Sequence, residues 1–190
     1  MIELLEINDF LDAAAREKIL AEIRQGASAA ATVSGKDSGG TVEPLVRKVT
    51  RVDVSSETRN LVRKMLLDCR EKIEKHFDVT LNECEEPQFL RYQAGDFFVA
   101  HQDGNTPLIY DETRFRKISI VIFLNAQSPE TLSGTYQGGE LVFHGGFPNY
   151  SYRRAAKPHP GNLVAFRAET THEVTPVEGG ERYTIVSWYR

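Results

Sequence analysis

From residue 86 onward, short segments rich in β-branched and aromatic residues alternate with Gly, Pro and Asn. Such segments are typical of β-strands, and helical periodicity is almost absent after Phe77. Strands this short and numerous predict an antiparallel sandwich or barrel, so the chain is expected to be mainly β. The segments with this character are QFLRY, FFVAHQD, KISIVIFLN, GGELVFH, GNLVAF, HEVTPV and RYTIVSWYR.

Two helices are predicted before this region. Apolar residues at near-helical spacing over residues 9–25 indicate an amphipathic helix, and Gly26 is a suitable stop after it. A second helix is predicted from about Ser56 to His76, with either Ser55 or Ser56 as its N-cap. We expect both helices to pack on the outside of the β structure.

The stretch between the helices and the length of the chain define the expected domain organisation. Residues 26–44 are small, polar and glycine-rich without periodicity, which predicts a flexible loop. A chain of 190 residues has the length of one ordinary domain. We therefore expect a single domain over residues 1–190, in which residues 1–80 give helical support and residues 86–190 form the β core.

Composition and charge indicate which binding partners and which cellular compartment to expect. The formal net charge is −4, and because phosphate binding usually requires a basic face, no nucleic-acid partner is expected. The acidic opening MIELLEINDFLDAA lacks the features of a signal peptide, and no apolar run approaches the roughly 20 residues of a membrane helix. Cys69 and Cys84 lack metal-ligand spacing, which predicts two free thiols in a reducing compartment. These features predict a cytoplasmic protein without a membrane segment.

The tripeptide HQD suggests a metal site. In a strand, residues two apart project from the same face, so His101 and Asp103 direct an imidazole and a carboxylate at one point. This spacing is common, and it gains weight from His172, which follows the strand-like segment NLVAF and which a closed or sandwiched sheet would bring close. Two imidazoles and one carboxylate form the facial triad suited to non-haem Fe(II), with three coordination positions left open. Structural zinc prefers four protein ligands with thiolates, and the two cysteines are not placed to supply them.

The last strand places an arginine near this site. If the face that contains Arg182 points inward, a buried guanidinium needs an anion, and a dicarboxylate cosubstrate would supply one in bidentate geometry. The alternative is an exposed arginine paired with Glu178 or Glu181. The alternation of a strand divides the segment into two faces. One face comprises Arg182, Thr184, Val186 and Trp188, and the other comprises Tyr183, Ile185, Ser187 and Tyr189.

Five motifs in a fixed order surround these candidates: RYQAGDFFVAHQD, ISIVIFLN, GGELVF, GNLVAF and HEVTPVEGGERYTIVSWY. In this order they resemble the 2-oxoglutarate- and Fe(II)-dependent dioxygenases of the prolyl 4-hydroxylase type, which include the oxygen-sensing prolyl hydroxylases and their bacterial relatives. The resemblance spans about residues 86–190 and implies a double-stranded β-helix, or jelly-roll, core. It also implies Fe(II), 2-oxoglutarate and O2, with ascorbate as a further candidate cofactor.

The family pattern assigns roles to individual residues. It makes His101, Asp103 and His172 the iron ligands, and Arg182 the partner of the distal carboxylate of 2-oxoglutarate. It implies no catalytic residue beyond the metal centre, because this chemistry needs neither a general base nor a nucleophile.

The resemblance also implies a set of pocket residues. Tyr92, in the arrangement Y-x-x-G-x-x-aromatic-x-x-H-x-D, matches a tyrosine that lines the cosubstrate and substrate pocket. Trp188 falls where relatives place a pocket-wall tryptophan. Arg116 aligns with an arginine that relatives use near the target proline, although the loop before it differs in length.

Phe123, also expected in the pocket, departs from the pattern. The oxygen-sensing enzymes have a tyrosine at this position, whose hydroxyl helps to hold the distal carboxylate, and phenylalanine cannot donate that bond. Either Arg182 with a neighbour such as Thr184 is sufficient, or the affinity for 2-oxoglutarate is lower than in those relatives.

The implied activity is the hydroxylation of a prolyl residue in a protein or peptide, with release of succinate and CO2. Hydroxylation of a free amino acid or small metabolite shares every ligand and differs only in the loops, for which residues 26–44, 104–115 and 126–137 are the candidates. The acidic balance and the form of the final motif disfavour a nucleic-acid dealkylase. A non-catalytic module that responds to 2-oxoglutarate or oxygen is disfavoured by the complete ligand set.

Overall fold

The computed structural model describes residues 2–31, 45–107, 109–130, 132–146, 149 and 151–190. These residues form 14 strands, helices α1 (Ala13–Gln25) and α2 (Ser56–Phe77), and a short 3-10 helix, Glu112–Phe115. The strands are β1 (Leu4–Ile7), β2 (Ser28–Ala30), β3 (Arg47–Lys48), β4 (Thr50–Val52), β5 (Gln88–Tyr92), β6 (Phe97–His101), β7 (Ile118–Phe123), β8 (Tyr136–Gly138), β9 (Leu141–Gly145), β10 (Tyr152–Ala155), β11 (Leu163–Arg167), β12 (His172–Val174), β13 (Val177–Gly180) and β14 (Arg182–Tyr189).

Side-chain caps define where the two helices begin. The Asp12 side chain accepts a hydrogen bond from the backbone N–H of Ala15, so α1 begins at Ala13 rather than at residue 9. The Asp9 backbone has a φ of 50°, a left-handed conformation that keeps the preceding turn out of the helix. The Ser55 side chain caps α2 in the same way, through the backbone N–H of Thr58.

Two antiparallel sheets face each other across a shared core. The first has the strand order β1-β11-β7-β14-β5-β4-β2, the second has the order β10-β9-β12-β6-β3, and β13 pairs with β8 in a small third sheet. Their apolar side chains meet in one cluster, which includes Leu90, Val121, Phe143, Phe166 and Val174. This arrangement is the predicted jelly-roll core.

The helices cover the outer face of the seven-stranded sheet, as predicted. Strand β7 is buried along its whole length because each of its two faces packs into a different hydrophobic core. Val121 and Phe123 point into the space between the sheets, whereas Ile120 and Ile122 point towards the helices. The helical side of that second core includes Ile19, Ile23, Val62, Leu66, Ile73 and Phe77.

The first eighty residues contribute strands as well as helices. Strands β1, β3 and β4 pair with β11, β6 and β5 respectively, so both large sheets contain N-terminal strands. The predicted loop over residues 26–44 is wrong for Ser28–Ala30, which form β2 against β4. Three small residues are too few to show the apolar–polar alternation of a strand in the sequence. The strand forms because β4 pairs with it. Residues 32–44 of that prediction lie outside the described residues.

Two expectations drawn from the sequence concern membrane crossing and the two cysteines. Neither helix combines the length and the apolar character that crossing a lipid bilayer requires. Cys69 and Cys84 are free thiols, and burial raises the pKa of both, so they are present as uncharged thiols at neutral pH.

Candidate metal centre

The sheet brings the two distant histidines of the predicted triad together. Strands β6 and β12 are antiparallel neighbours, and His172 lies directly opposite His101 in their register. The ring centroids are 4.2 Å apart. The register shifts between His172 and Val174, which indicates a β-bulge, a feature that often redirects a side chain next to a site.

Asp103 completes the cluster from the segment just after β6. Its Oδ1 lies 3.3 Å from Nε2 of His101, and its Oδ2 lies 3.5 Å from Nε2 of His172. The backbone N–H of Asp103 donates to the carbonyl of Ala168, at 2.8 Å, which fixes the carboxylate relative to β11. The ligand atoms of the three residues lie within 4.8 Å of one another, and no other group of three His, Cys, Asp or Glu in the described part of the chain converges in this way.

Backbone carbonyls determine which nitrogen of each imidazole is available to a metal. Nδ1 of His101 lies 2.8 Å from the carbonyl oxygen of Val99, and Nδ1 of His172 lies 2.9 Å from that of Thr170. Because a carbonyl oxygen only accepts, each Nδ1 carries the proton, and each neutral ring presents the lone pair of Nε2 to the cluster. Ligating histidines in metalloproteins commonly show this arrangement.

The electrostatics of the cluster suit a divalent cation. Burial alone would raise the pKa of Asp103, but His172, His101 and a hydrogen bond from Ser119 hold it well below its usual range. The Ser119 hydroxyl donates to Oδ2 of Asp103 at 2.7 Å. Burial, reinforced by His101, lowers the pKa of His172 to about 4. At neutral pH the cluster therefore offers a carboxylate and an uncharged His172 ring, the protonation states that metal binding requires.

Aromatic rings hold the imidazoles in place. The Phe98 ring stacks on His101 with a centroid distance of 3.5 Å, and the edge of Phe166 meets His172 at 4.7 Å. Gln102 points away from the triad, since its Nε2 donates to the carbonyl of Glu169.

Arg182 lies on the inner face of β14, and its side chain is buried. The residue is 1% exposed, as expected for the inward face of the alternation. Its Nη1 donates to the Thr184 hydroxyl at 3.3 Å, but Nε and Nη2 have no hydrogen-bond partner. The alternative of an exposed ion pair is wrong for Glu181, which accepts from Tyr183 and Gln93 instead. A buried guanidinium with unpaired N–H groups is costly, and an anionic ligand would satisfy it.

Three aromatic residues surround this guanidinium. The ring centroids of Tyr92, Phe123 and Tyr136 lie 4.9, 5.7 and 6.0 Å from its central carbon. Tyr92 and Phe123, both expected in the pocket, therefore line the same space as Arg182.

The structure also brings together the two residues expected near the substrate. Arg116 stacks over the Trp188 ring at 3.7 Å. Its Nε and Nη2 donate to the two carboxylate oxygens of Glu85, at 2.8 and 2.6 Å. A Cβ placed on Gly104 would meet the Arg116 Cβ at 2.6 Å, so this pair lies directly against the segment that follows Asp103.

Several residues of the site do not follow from sequence reasoning. Contacts between distant segments give them their positions, and no local spacing predicts such contacts. The residues are Arg47, whose guanidinium lies 4.8 Å from the centre of the Phe98 ring, Glu85, Ser119 and Tyr136.

Comparison with curated proteins relates the chain to hydroxylases. A PKHD-type hydroxylase of Shewanella sp. (strain MR-7) is 36% identical over 102 residues, which are 54% of this chain and 41% of that protein. A PKHD-type hydroxylase of Phenylobacterium zucineum (strain HLK1) is 29% identical over 172 residues, 89% of this chain and 71% of that protein. The match thus spans less than half the length of the Shewanella relative.

The fold and a family model agree with this relationship. The crystal structure of a Pseudomonas putida prolyl-4-hydroxylase superposes with a TM-score of 0.73 at 23% identity, over 100% of this chain and 94% of that one. The model of the 2OG-Fe(II) oxygenase superfamily matches residues 87–190, which include the triad and Arg182. The chain therefore belongs to the 2OG-Fe(II) oxygenase superfamily, whose Fe(II) and 2-oxoglutarate fit the two-histidine, one-carboxylate donor set and the unpaired guanidinium described above.

Proposed function

We propose that this chain hydroxylates a prolyl residue of a protein or peptide. The reaction inserts one atom of O2 into a C–H bond and the other into 2-oxoglutarate, which leaves as succinate and CO2. The observation that carries the proposal is the candidate metal triad in the same β sandwich as a buried guanidinium with two nitrogens that lack hydrogen-bond partners. The curated relatives are hydroxylases, and the superposed Pseudomonas putida enzyme is a prolyl-4-hydroxylase, which supports the choice of reaction and substrate class.

In this proposal His101, Asp103 and His172 hold the iron from one side. The two Nε2 atoms and the carboxylate would supply three ligand atoms, and a metal with six positions would keep others for further ligands. When bound, Fe(II) supplies the reductive activation of O2 that the oxidative decarboxylation requires. Ser119 keeps the Asp103 carboxylate oriented.

Arg182 and Thr184 bind and orient the cosubstrate. The guanidinium has free donors for the distal carboxylate, and its contact with the Thr184 hydroxyl fixes its direction. The rings of Tyr92 and Phe123 exclude water around it, which strengthens the charge-assisted contact. Ascorbate remains a candidate reductant.

Arg116 and Trp188 are proposed to contact the substrate. The bidentate pair with Glu85 and the stack on Trp188 hold Arg116 in one rotamer beside the segment that follows Asp103. The described parts of residues 104–115 and 126–137 are then proposed to determine which substrate binds. We also propose a cytoplasmic location, consistent with the two free thiols.

The test is O2-dependent succinate formation with purified protein, Fe(II) and 2-oxoglutarate. Proline-containing peptides, free amino acids and cell lysate serve as candidate substrates, and mass spectrometry detects the added oxygen atom. His172→Ala is the inactive control. Addition of oxygen to a prolyl residue supports the proposal, whereas oxidation of free metabolites alone would replace the prolyl substrate with a small molecule. Absence of 2-oxoglutarate turnover with every candidate would refute the function.

A further inference from the structure

We propose that the Tyr136 hydroxyl is a second donor to the distal carboxylate of 2-oxoglutarate, beside Arg182. This inference rests on the proposed function. It adds a cosubstrate-binding residue on β8, a strand that contributes none of the residues assigned above. It also identifies a hydroxyl near the Arg182 guanidinium, where the Phe123 ring carries none.

Tyr136 is buried, and its polar end lies beside Arg182 without a hydrogen bond of good geometry. The residue is 1% exposed, and its hydroxyl makes no hydrogen bond of acceptable geometry. The ring centroid lies 6.0 Å from the central carbon of the Arg182 guanidinium, whose charge acts on the hydroxyl. Buried hydroxyls in proteins are nearly always hydrogen-bonded. The guanidinium beside the Tyr136 hydroxyl can only donate, so among the described residues the phenol proton has no acceptor, which indicates a missing ligand atom.

Unsatisfied donors therefore come from two side chains. Nε and Nη2 of Arg182 have no hydrogen-bond partner, and neither does the hydroxyl of Tyr136. A carboxylate has two oxygens with about four acceptor positions, so one such group can accept from the guanidinium and the phenol together. A neutral ligand would leave the buried positive charge of Arg182 without a counter-ion.

The backbone next to Tyr136 is shaped for this approach. Gly139 has a φ of +59°, and a Cβ at this position would lie 3.0 Å from Cδ of Arg182 and 3.4 Å from Cε2 of Tyr136. A larger residue at this position would crowd both side chains. The β8–β13 pairing, in which Tyr136 lies opposite Gly180, holds the strand in register.

The phenol is in the protonation state of a donor. Burial raises the pKa of Tyr136, although the positive charge of Arg182 and the contact of its guanidinium with the hydroxyl oppose the shift. The group is therefore an uncharged O–H at neutral pH, and its bond to a carboxylate would be charge-assisted.

Binding of two ligands to anaerobic, Fe(II)-loaded protein tests the proposal. Tyr136→Phe should weaken binding of 2-oxoglutarate by roughly tenfold or more, because it removes one hydrogen bond to a charged group. Binding of 2-oxopentanoate, which has the same chain length without the distal carboxylate, should not change. Tyr152→Phe, a tyrosine 48% exposed on β10, is the matched control and should leave both affinities unchanged.

Two results would overturn the role of Tyr136: an unaltered affinity for 2-oxoglutarate, or an equal loss with both ligands. Tyr136→Phe removes only a hydroxyl that makes no hydrogen bond of good geometry and lies beside Arg182, so the variant should fold, and thermal unfolding of the ligand-free proteins verifies this. Failure of the unmodified protein to bind 2-oxoglutarate at all would instead refute the proposed function.

Discussion

His101 and His172 are cross-strand partners in the five-stranded sheet, with their rings 4.2 Å apart. Strand β6 comes early in the β core and β12 comes late, so the site forms only when the sheet is assembled. Metal binding and sheet formation are therefore linked, and Fe(II) is expected to stabilise the native fold.

The triad predicts a spectroscopic signal that depends on His172. Anaerobic protein with Fe(II) and 2-oxoglutarate should show a weak visible charge-transfer band, and His172→Ala should abolish it because one of the three proposed metal ligands is lost. His159→Ala, which alters an exposed histidine, should leave the band intact. An unchanged spectrum in the His172 variant would exclude this residue as a ligand.

Ser119 is predicted to support the metal indirectly. Ser119→Ala removes the hydrogen bond to Asp103 and should weaken Fe(II) affinity by about 10- to 100-fold, the usual effect of losing an outer-shell partner. Ser187→Ala is the comparison, since this buried serine of β14 contacts Glu85 and Cys84 rather than the triad. Equal metal affinities in the Ser119 variant and the unmodified protein, measured by anaerobic titration, would argue against the role.

Arg182 is predicted to have opposite effects on ligand binding and stability. Arg182→Met should weaken 2-oxoglutarate binding by about a hundredfold, because a bidentate charge-assisted contact contributes roughly 3 kcal/mol. The same change should raise the free energy of unfolding of ligand-free protein by about 1 kcal/mol, because it removes unpaired buried donors.

Denaturant unfolding and anaerobic titration measure these two effects on Arg182→Met. Arg153→Met, at a side chain that is 60% exposed, should change neither quantity appreciably. Normal 2-oxoglutarate affinity in the Arg182 variant would remove this residue from the binding site.

Glu85 is predicted to make stability depend on acidity. Burial opposes the shift, but the guanidinium groups of Arg116 and Arg190 lower the pKa of Glu85 below its ordinary 4.5. A lowered folded-state pKa stabilises the protein above the unfolded-state value, and the gain disappears as the pH falls through the folded-state pKa. Glu85→Gln should therefore reduce the free energy of unfolding by about 2 kcal/mol at neutral pH, as expected when a partly buried ion pair loses one member.

The pH dependence of the stability change in Glu85→Gln separates the contribution of the Glu85 charge from that of its side-chain packing. The difference from the unmodified protein should stay constant above about pH 5 and shrink at lower pH. Glu57→Gln, in an exposed pair with Lys18, should have almost no effect at any pH. A difference that does not vary between neutral pH and pH 3 would show that the Glu85 charge contributes nothing.

Local patterns predicted the parts of the fold that have strong periodicity. Both helices and the long strands β7 and β14 follow from apolar spacing within one segment. Strands β2, β3 and β8 have three residues or fewer, too short for a period, and they exist because a neighbouring strand pairs with them. Helix α1 begins late because a cap and a left-handed residue oppose the apolar pattern.

The candidate site divides in a similar way. His101 and Asp103 are close in the chain and Arg182 begins a recognisable strand, so the sequence could indicate all three. The geometric roles of Ser119, Glu85 and Tyr136 depend on contacts between distant segments. A sequence without its fold contains no local signal for such contacts.

Strand β14 contacts helix α2 with one face and carries Arg182 of the candidate site on the other. Its outward residue Tyr189 donates to the Leu66 carbonyl of α2, while its inward residue Arg182 has two nitrogens without a hydrogen-bond partner. A slip of one residue would exchange these two faces, so docking of the helix also keeps the arginine inside. A ligand bound by Arg182 in turn stabilises the strand on which the helix rests. If Arg182 binds 2-oxoglutarate as proposed, the supply of this cosubstrate affects the lifetime of the folded chain as well as its turnover.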